Sequence, residues 1–332
     1  MSEPGISEPG VAEPTPHGPG WGSAARVVAL GGGHGLAASL SALRQVTEHL
    51  TGIVTVADNG GSSGRLRDEF DVLPPGDLRQ ALAALCGDDD WGRTWARVLQ
   101  HRFDGTGELA GHSVGNLLIV ALWDMTNSVE GLDWVGRLLG ARGRVLPMAA
   151  VPLTIVGDVA GLDSDDPDAI TTLRGQVQVA GTSGQVRAVR LEPENPPAVP
   201  EVLEALAVAD AVVLGPGSWF TSVMPHLMVP ELAAALGATP ARRILTLNVA
   251  AQLGETDGFS PERHLAVLCE HAPWLRLDVV IADASYGTDL PSLQKVAASC
   301  GAEVVVADVA DDSGEPRHDV DKLSKVYAQL LG

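Results

Sequence analysis

From residue 26 onward the chain alternates short apolar runs with amphipathic stretches, and this rhythm predicts both its elements and their order. Apolar runs at 26–30, 53–57, 211–214, 244–248, 279–281 and 304–307 read as buried strands. Between them apolar residues recur at helical spacing over 36–49, 77–86, 91–100, 117–125, 200–208, 228–236, 290–299 and 320–331. Such alternation predicts an α/β fold, a Rossmann-like, doubly wound, mostly parallel sheet. Residues 142–200 break the rhythm. Short β-like pieces at 153–156, 175–179 and 186–191, an acidic turn at 163–168 and a proline-rich connector at 192–200 predict a small β-rich insertion at about 147–199. Residues 1–23 repeat Ser-Glu-Pro-Gly and carry almost no aliphatic side chains. That composition predicts a disordered acidic tail, with residues 24–332 forming one domain.

The strand ends carry the chemistry. Gly31-Gly32-Gly33-His34-Gly35 follows the first strand, and Ala57-Asp58-Asn59-Gly60-Gly61-Ser62-Ser63-Gly64-Arg65-Leu66-Arg67 follows the second. A third loop, Gly215-Pro216-Gly217-Ser218-Trp219-Phe220-Thr221-Ser222, follows the strand at 211–214. A glycine turn between strand and helix gathers backbone N–H groups and a helix N-terminus around one point, which favours an anion. Serine hydroxyls and arginine forks add donors. Ligands of open α/β sheets bind at this edge, so the loops predict a site for a phosphorylated ligand, first of all a nucleotide. Asp77, after Pro74-Pro75-Gly76, stands where a helix N-cap would and is read equally as a cap or a ligand contact. His112 and Asn116, four apart at the start of an apolar helix, share one face; His112 is a candidate proton carrier or a buried hydrogen-bonded histidine. Asn248 and the loop Gly254-Glu255-Thr256-Asp257-Gly258 add polar groups beyond the next strand.

Composition narrows the chemistry. A formal net charge of −20 argues against a nucleic-acid surface or an anionic membrane as partner. Lysine occurs only at Lys295, Lys322 and Lys325, so no Walker A loop or Schiff-base lysine accompanies the glycine motifs. Counted from Gly31 and Gly33, the third glycine of a dinucleotide fingerprint falls on Leu36, and neither Tyr286 nor Tyr327 has a lysine four residues later. Both facts argue against a nicotinamide-dependent oxidoreductase. Cys86, Cys269 and Cys300 are far apart, which predicts free thiols and no metal centre. The strongest apolar run, 117–123, is too short to span a bilayer, and no signal-peptide pattern opens the chain.

Taken in order, GGGHG, ADNGGSSGRLR, LPPGDLR, HRFDGTGELAGHSVGN, RGRVLP, GPGSWFTS and GETDG resemble the YvcK family, known as gluconeogenesis factors. That family shares a superfamily with the 2-phospho-L-lactate transferases of deazaflavin cofactor synthesis. The resemblance runs from about residue 26 to about residue 325. It implies a cytoplasmic bacterial protein that binds a UDP-sugar such as UDP-N-acetylglucosamine and serves cell shape and cell-envelope precursor supply on gluconeogenic carbon sources. In some relatives it implies contact with glucosamine-6-phosphate synthase or phosphorylation by a membrane Ser/Thr kinase. A second copy of the chain is a further candidate partner.

Carried over by motif, the nucleotide-sugar site comprises Gly32, Gly33, His34 and Gly35, then Asp58, Asn59, Gly60, Gly61, Ser62, Ser63 and Arg65. Asp77, Arg79, His112 and Asn116 follow, with Gly215, Gly217, Ser218, Thr221 and Ser222 from the third loop, and Asn248 and Arg317. The first two loops are expected to hold a diphosphate with help from Arg65, while Asp58 or Asn248 reads the uridine. Two positions depart from the family's pattern: His34 replaces a usual threonine, and Asn59 replaces the second of two acids. One carboxylate fewer weakens a Mg²⁺ site. The expectation is therefore a binding protein without turnover, no assigned catalytic residue and no firm cofactor. The alternative is a phosphotransfer enzyme in which Asp58, Asp77 and His112 supply Mg²⁺ and acid/base roles.

Overall fold

The computed structural model describes residues 24–332 except 253, 254 and 257. The tail at 1–23, and Gly254 and Asp257 of the GETDG loop, lie outside the described residues.

Seven strands build the main sheet: β1 (Val27–Gly31), β2 (Leu50–Val54), β3 (Arg144–Pro147), β7 (Ala211–Leu214), β8 (Arg242–Thr246), β9 (Val279–Asp283) and β10 (Glu303–Ala307). They lie in the order β10-β9-β8-β7-β1-β2-β3, and every neighbouring pair is parallel. The chain therefore runs outward from β1 to β3, returns to β7 beside β1, and runs outward the other way. That reversal between β1 and β7 is a topological switch point, where the crevice of a doubly wound sheet opens. Strands covered on both faces need unbroken apolar sequence, and β1 and β7 are buried along their whole length.

The helices are α1 (Gly33–Leu43), α2 (Gly61–Phe70), α3 (Gly76–Ala84), α4 (Asp90–Gln100), α5 (Val114–Met125) and α6 (Ser128–Leu139), then α7 (Gln176–Ala180), α8 (Pro200–Ala207), α9 (Pro230–Ala238), α10 (Pro261–His271), α11 (Leu290–Ser299) and α12 (Val320–Leu331). None is long and apolar enough to cross a membrane. The insertion is a second sheet, antiparallel, of β4 (Thr154–Ala160), β5 (Thr171–Arg174) and β6 (Gln185–Glu192) in the order β5-β4-β6.

Several local expectations are corrected. The stretch at 175–179 is not β-like: Gly175 precedes the short helix α7. The second loop does not stay a loop, because Gly61 opens α2 and carries Ser62 to Arg67 into its first turns. The strand ending the helical half, β3, and the helices α6 and α10 escaped the periodicity reading. Cys269 and Cys300 are joined by a disulfide between α10 and the end of α11, and only Cys86 is free. The two cysteines are separated by 31 positions in sequence, and the chain between them folds back through α10 and α11, which pack together and bring the two sulfurs into register.

Packing from the far end of the chain also fixes the switch point. Tyr327 of α12 is fully buried, with its hydroxyl 2.8 Å from Ser39 Oγ and 2.9 Å from Thr246 Oγ1. Ser39 in turn donates to the Gly215 carbonyl at 3.0 Å. One phenol thus ties the last helix to α1, to β8 and to the third glycine loop.

Candidate functional site

At the crevice between β1 and β7 the first and third loops lie backbone to backbone. A Cβ on Gly35 would stand 2.5 Å from Gly217 Cα and 2.6 Å from the Pro216 carbonyl carbon. Only glycine lets α1 begin there. Gly32 is equally crowded: a Cβ would lie 2.6 Å from Asp77 Oδ2 and 3.2 Å from Ser222 Oγ. These distances bring Gly32, Asp77, Ser222 and the buried Thr55 around one point at the N-terminus of α1. The second loop joins them from the side. Asp58 Oδ1 accepts the Gly60 N–H at 2.8 Å, and its Oδ2 would meet a Cβ on Gly76 at 2.7 Å.

Asp77 is not the cap. Pro75 holds the N-cap position of α3, and no side chain caps that helix. Asp77 instead points inward, buried, and faces the Gly33 N–H, while its Oδ2 has no hydrogen-bond partner. Burial, reinforced by the Asp58 charge, outweighs the Gly33 and Arg79 contributions and pushes its pKa up to about 7. A carboxyl that changes charge near neutrality thus sits beside the anion-favouring loops.

Behind the second loop runs a buried polar relay. Arg79 Nη1 donates to Gln100 Oε1, and its Nε donates to Asn116 Oδ1 at 2.9 Å. Asn116 Nδ2 donates to Ser62 Oγ at 3.0 Å, and Ser62 Oγ lies 2.9 Å from His112 Nδ1. His112 and Asn116 therefore meet, but not as helix neighbours: α5 starts at Val114 with Ser113 as its cap, and Ser62 stands between them. Desolvation, with Arg65 and Arg102 nearby, holds the His112 pKa below the usual imidazole range.

Other predicted residues have different employment. Arg65 donates from its guanidinium to the carbonyls of Glu108, at 3.3 Å, and Ala110, at 2.7 Å, latching the segment that carries His112. Asn59 bonds the insertion: its Oδ1 accepts the Val177 N–H at 3.0 Å, and its Nδ2 donates to Gln178 at 3.2 Å. The insertion thereby walls one side of the second loop, held by both ends of the Asn59 amide. Ser218 and Thr221 face the buried Glu255, whose carboxylate also looks onto the Phe220 and Thr221 N–H groups. These contacts do not close into strict hydrogen bonds, so Thr221 Oγ1 and both Glu255 oxygens stay unpartnered. Burial prevails and pushes the Glu255 pKa up to about 7. Ser222 is held by His226, whose ring lies 3.0 Å from the Ser222 carbonyl and 3.1 Å from that of Ile53.

On the β8 side of the crevice a cavity of about 350 Å³ is lined by His34, Gly35, Gly217, Asn248, Arg317 and His318, among others. Asn248 brackets Gly217, accepting its N–H and donating to its carbonyl, each at 2.9 Å. Arg317 is exposed and paired with Asp311 and Glu315. Tyr286 donates to the Asn248 carbonyl. Sequence reasoning missed Thr55, Gln100 and Tyr286, which no motif singled out; Gly76 lay in LPPGDLR and Glu255 in the GETDG loop, but neither was separated from its motif.

For a metal, the described residues hold no group of three or more His, Cys, Asp or Glu side chains placed to ligate. Asp58 and the unpartnered Asp77 Oδ2 are two carboxylates at one edge, which suits Mg²⁺ completed by phosphate oxygens and water rather than an all-protein cage.

The 2-phospho-L-lactate transferase CofD family model matches residues 27–321. The chain belongs to the CofD family. Within the family it is 55% identical over 304 residues to a Mycobacterium tuberculosis (strain H37Rv) protein named "Putative gluconeogenesis factor", covering 90% of this chain and 88% of that one. It is 33% identical over 318 residues to the "Gluconeogenesis factor" of Listeria innocua, covering 92% and 95%. A UPF0052-family crystal structure from Bacillus halodurans, at 2.60 Å resolution, superposes with a TM-score of 0.77 and 32% identity, covering 90% of this chain and 97% of that one. The α/β fold described above is thus shared with that UPF0052-family protein over nine-tenths of this chain.

Proposed function

We propose that this CofD-family chain is a cytoplasmic binding protein for a UDP-sugar of the UDP-N-acetylglucosamine kind. The observation that carries the reading is the contact of Gly35 with Pro216 and Gly217 at the switch point, with a cavity of about 350 Å³ beside it. A ridge of glycine backbone and the N-termini of α1 and α2 offer N–H groups to a diphosphate. The volume falls in the range of small-ligand sites. Asn248 and Arg317 supply the amide and guanidinium that would select the polar group entering it. On this reading the protein reports nucleotide-sugar supply, in keeping with the name of its gluconeogenesis-factor relatives, and serves cell shape and envelope precursor metabolism. Glucosamine-6-phosphate synthase and a Ser/Thr kinase are the proposed partners.

The test is a thermal-shift titration. UDP-N-acetylglucosamine at about 100 times its Kd stabilises the folded state by about 2.7 kcal/mol through mass action. A shift with NAD(H) and none with UDP-sugars would overturn the reading.

A second reading is favoured by the unpartnered Asp77 Oδ2 beside Asp58. Those two residues would hold Mg²⁺, which supplies charge neutralisation for phosphoryl transfer. With those carboxylates neutralised, the N–H groups at the α1 and α2 N-termini would orient the phosphate oxygens. Product formed from a UDP-sugar and Mg²⁺ above a heat-killed control would establish turnover.

A further inference from the structure

We propose that two copies of this chain pair edge to edge through β10, antiparallel about a two-fold axis at Val305, so that the main sheet runs on from one copy into the other. The pairing goes beyond the UDP-sugar reading and does not depend on it.

The two edges of the main sheet are finished differently. At one, β3 is buried from Val145 to Pro147, and α3, α6 and α8 pack against it. At the other stands β10, Glu303-Val304-Val305-Val306-Ala307, whose valines are half-buried apart from Val306, which is 41% exposed. The strand holds neither proline nor lysine, and its one charged side chain, Glu303, is drawn to Arg242 at 3.2 Å. An edge left apolar and unblunted is a template for another strand.

Backbone alternation decides which groups that edge offers. Glu303 donates its N–H to the Asp278 carbonyl at 3.1 Å, and β10 runs parallel to β9 with Glu303 beside Val279. In a parallel ladder alternate residues turn their N–H and C=O to the neighbour, so Glu303, Val305 and Ala307 bond β9. Val304 and Val306 turn theirs outward, and among the described residues nothing bonds them there.

A second copy supplies the match, and the strand's own sequence picks the register. Across an antiparallel pair, outward residues bond only where each faces another outward residue. With the axis at Val305, Val304 of each copy faces Val306 of the other, and each pair exchanges N–H and C=O. The same register sets Val305 against its counterpart, Glu303 against Ala307 and Asp308 against Ala302. Valine therefore meets valine and each acid meets an alanine, so a chain of net charge −20 gains a contact without like charges opposite each other. A one-residue slip sets outward residues against inward ones and forfeits the bonds. Because the strands run antiparallel, the two β1–β7 crevices open at opposite edges of the joined sheet, and neither is covered.

The experiment is light scattering of the full chain over a dilution series. A five-residue strand edge stands at the small end of interfaces, so the dimer should form between about 10 and about 200 µM. A chain that stays monomeric throughout leaves the edge to a strand of another protein and overturns the proposal. Val306→Pro removes an outward N–H but none of the β9 ladder, at a position where an edge strand accepts proline, and should weaken association by about tenfold or more. Val306→Lys blunts the same edge by charge and replaces that reading if the proline variant melts far below the parent. Undiminished association in the folded variant overturns the proposal. Mild oxidation then reads the register. Val305→Cys sets two thiols on a non-hydrogen-bonded pair with Cα atoms about 4.5 Å apart, within disulfide reach. Val304→Cys sets them on a diagonal of about 8–9 Å, out of reach. The first variant should run as a covalent dimer on a non-reducing gel. The second should not, and neither should the parent, whose Cys86 is buried and whose Cys269 and Cys300 are paired. Cross-linking of both variants alike, or of neither, overturns the proposed pairing.

Discussion

Asp77→Asn is the most direct test of how the crevice is charged. The Asp77 carboxyl is buried, its Oδ2 has no partner, and its pKa is pushed from 3.8 up to about 7, first by burial and then by Asp58. A folded-state pKa above the unfolded one means that the folded chain binds more protons between those values. Stability therefore falls as pH rises from about 4 to about 7, and the full cost stands above 7. About three units at about 1.4 kcal/mol each gives a ceiling of about 4 kcal/mol. Asparagine keeps an oxygen facing the Gly33 N–H and never ionises, so the variant escapes the cost.

The assay is thermal or urea unfolding of parent and Asp77→Asn between pH 4.5 and 8.5, read as their difference at each pH. Glu255 gives a slope of the same sign, and His226 and His318, both held down to about 4 by burial, give the opposite one. Those backgrounds cancel in the difference. The variant should gain on the parent progressively with pH, by several kcal/mol at pH 8, with a melting difference of about 2–4 °C per kcal/mol for chains approaching this size. A difference independent of pH, or a variant less stable at pH 8, would show that Asp77 is compensated by a partner or a cation.

Three substitutions probe the scaffold around it. Gly35→Ala should lower stability by about 1–3 kcal/mol, because its Cβ meets the Pro216–Gly217 backbone and not a yielding side chain; a variant that melts like the parent and still binds its ligand would show that the ridge yields. Asn248→Ala strands the Gly217 N–H and carbonyl, which should cost about 1–3 kcal/mol for each group left unsatisfied. It should also weaken UDP-N-acetylglucosamine binding by calorimetry, and unchanged affinity would place the ligand elsewhere. Arg65→Ala frees the carbonyls of Glu108 and Ala110 from an exposed latch, so stability should change by less than about 1 kcal/mol while limited proteolysis at residues 104–111 accelerates. Complete loss of the ligand-induced shift in that variant would instead put Arg65 on the diphosphate.

The parallel sheet was legible because strands covered on both faces carry apolar runs, and such a run marks six of its seven strands even where polar residues open them, as Arg242 and Glu303 do. The exception, β3, begins at an exposed Arg144 and ends at Pro147, too short and too polar at one end to declare itself. Helix α2 was hidden for a chemical reason: Gly61-Ser62-Ser63-Gly64 reads as a turn, and only its N-terminal anchoring against Asp58 and its buried Leu66 make it helical. Motif spacing found the relay residues but not their geometry. Ser62 comes between His112 and Asn116 because α2 packs on α5, a contact between elements fifty residues apart that no local pattern encodes. The disulfide was missed for the same reason, since spacing alone says nothing about two helices that fold back on each other.

Allocation of donors among the three loops leads to a last prediction. The third loop already faces an anion of its own: the Ser218 and Thr221 hydroxyls and the Phe220 and Thr221 N–H groups look onto Glu255. A bound diphosphate is thus left to the first two loops, where Asp58 and Asp77 stand within the same crevice. Above pH 7 Asp77 is ionised and the ligand must enter against two carboxylates; below it, one of them is neutral. Affinity for UDP-N-acetylglucosamine, whose diphosphate keeps its charge over this range, should therefore fall as pH rises through 7. Its steepest slope approaches tenfold per unit when binding takes up one proton. Mg²⁺ at pH 8 should restore the affinity if it bridges the two carboxylates to the phosphates, and Asp77→Asn should flatten the profile without Mg²⁺. An affinity independent of pH between 6 and 8.5 in the absence of Mg²⁺, measured by isothermal titration, would mean that the phosphates do not approach Asp77 at all.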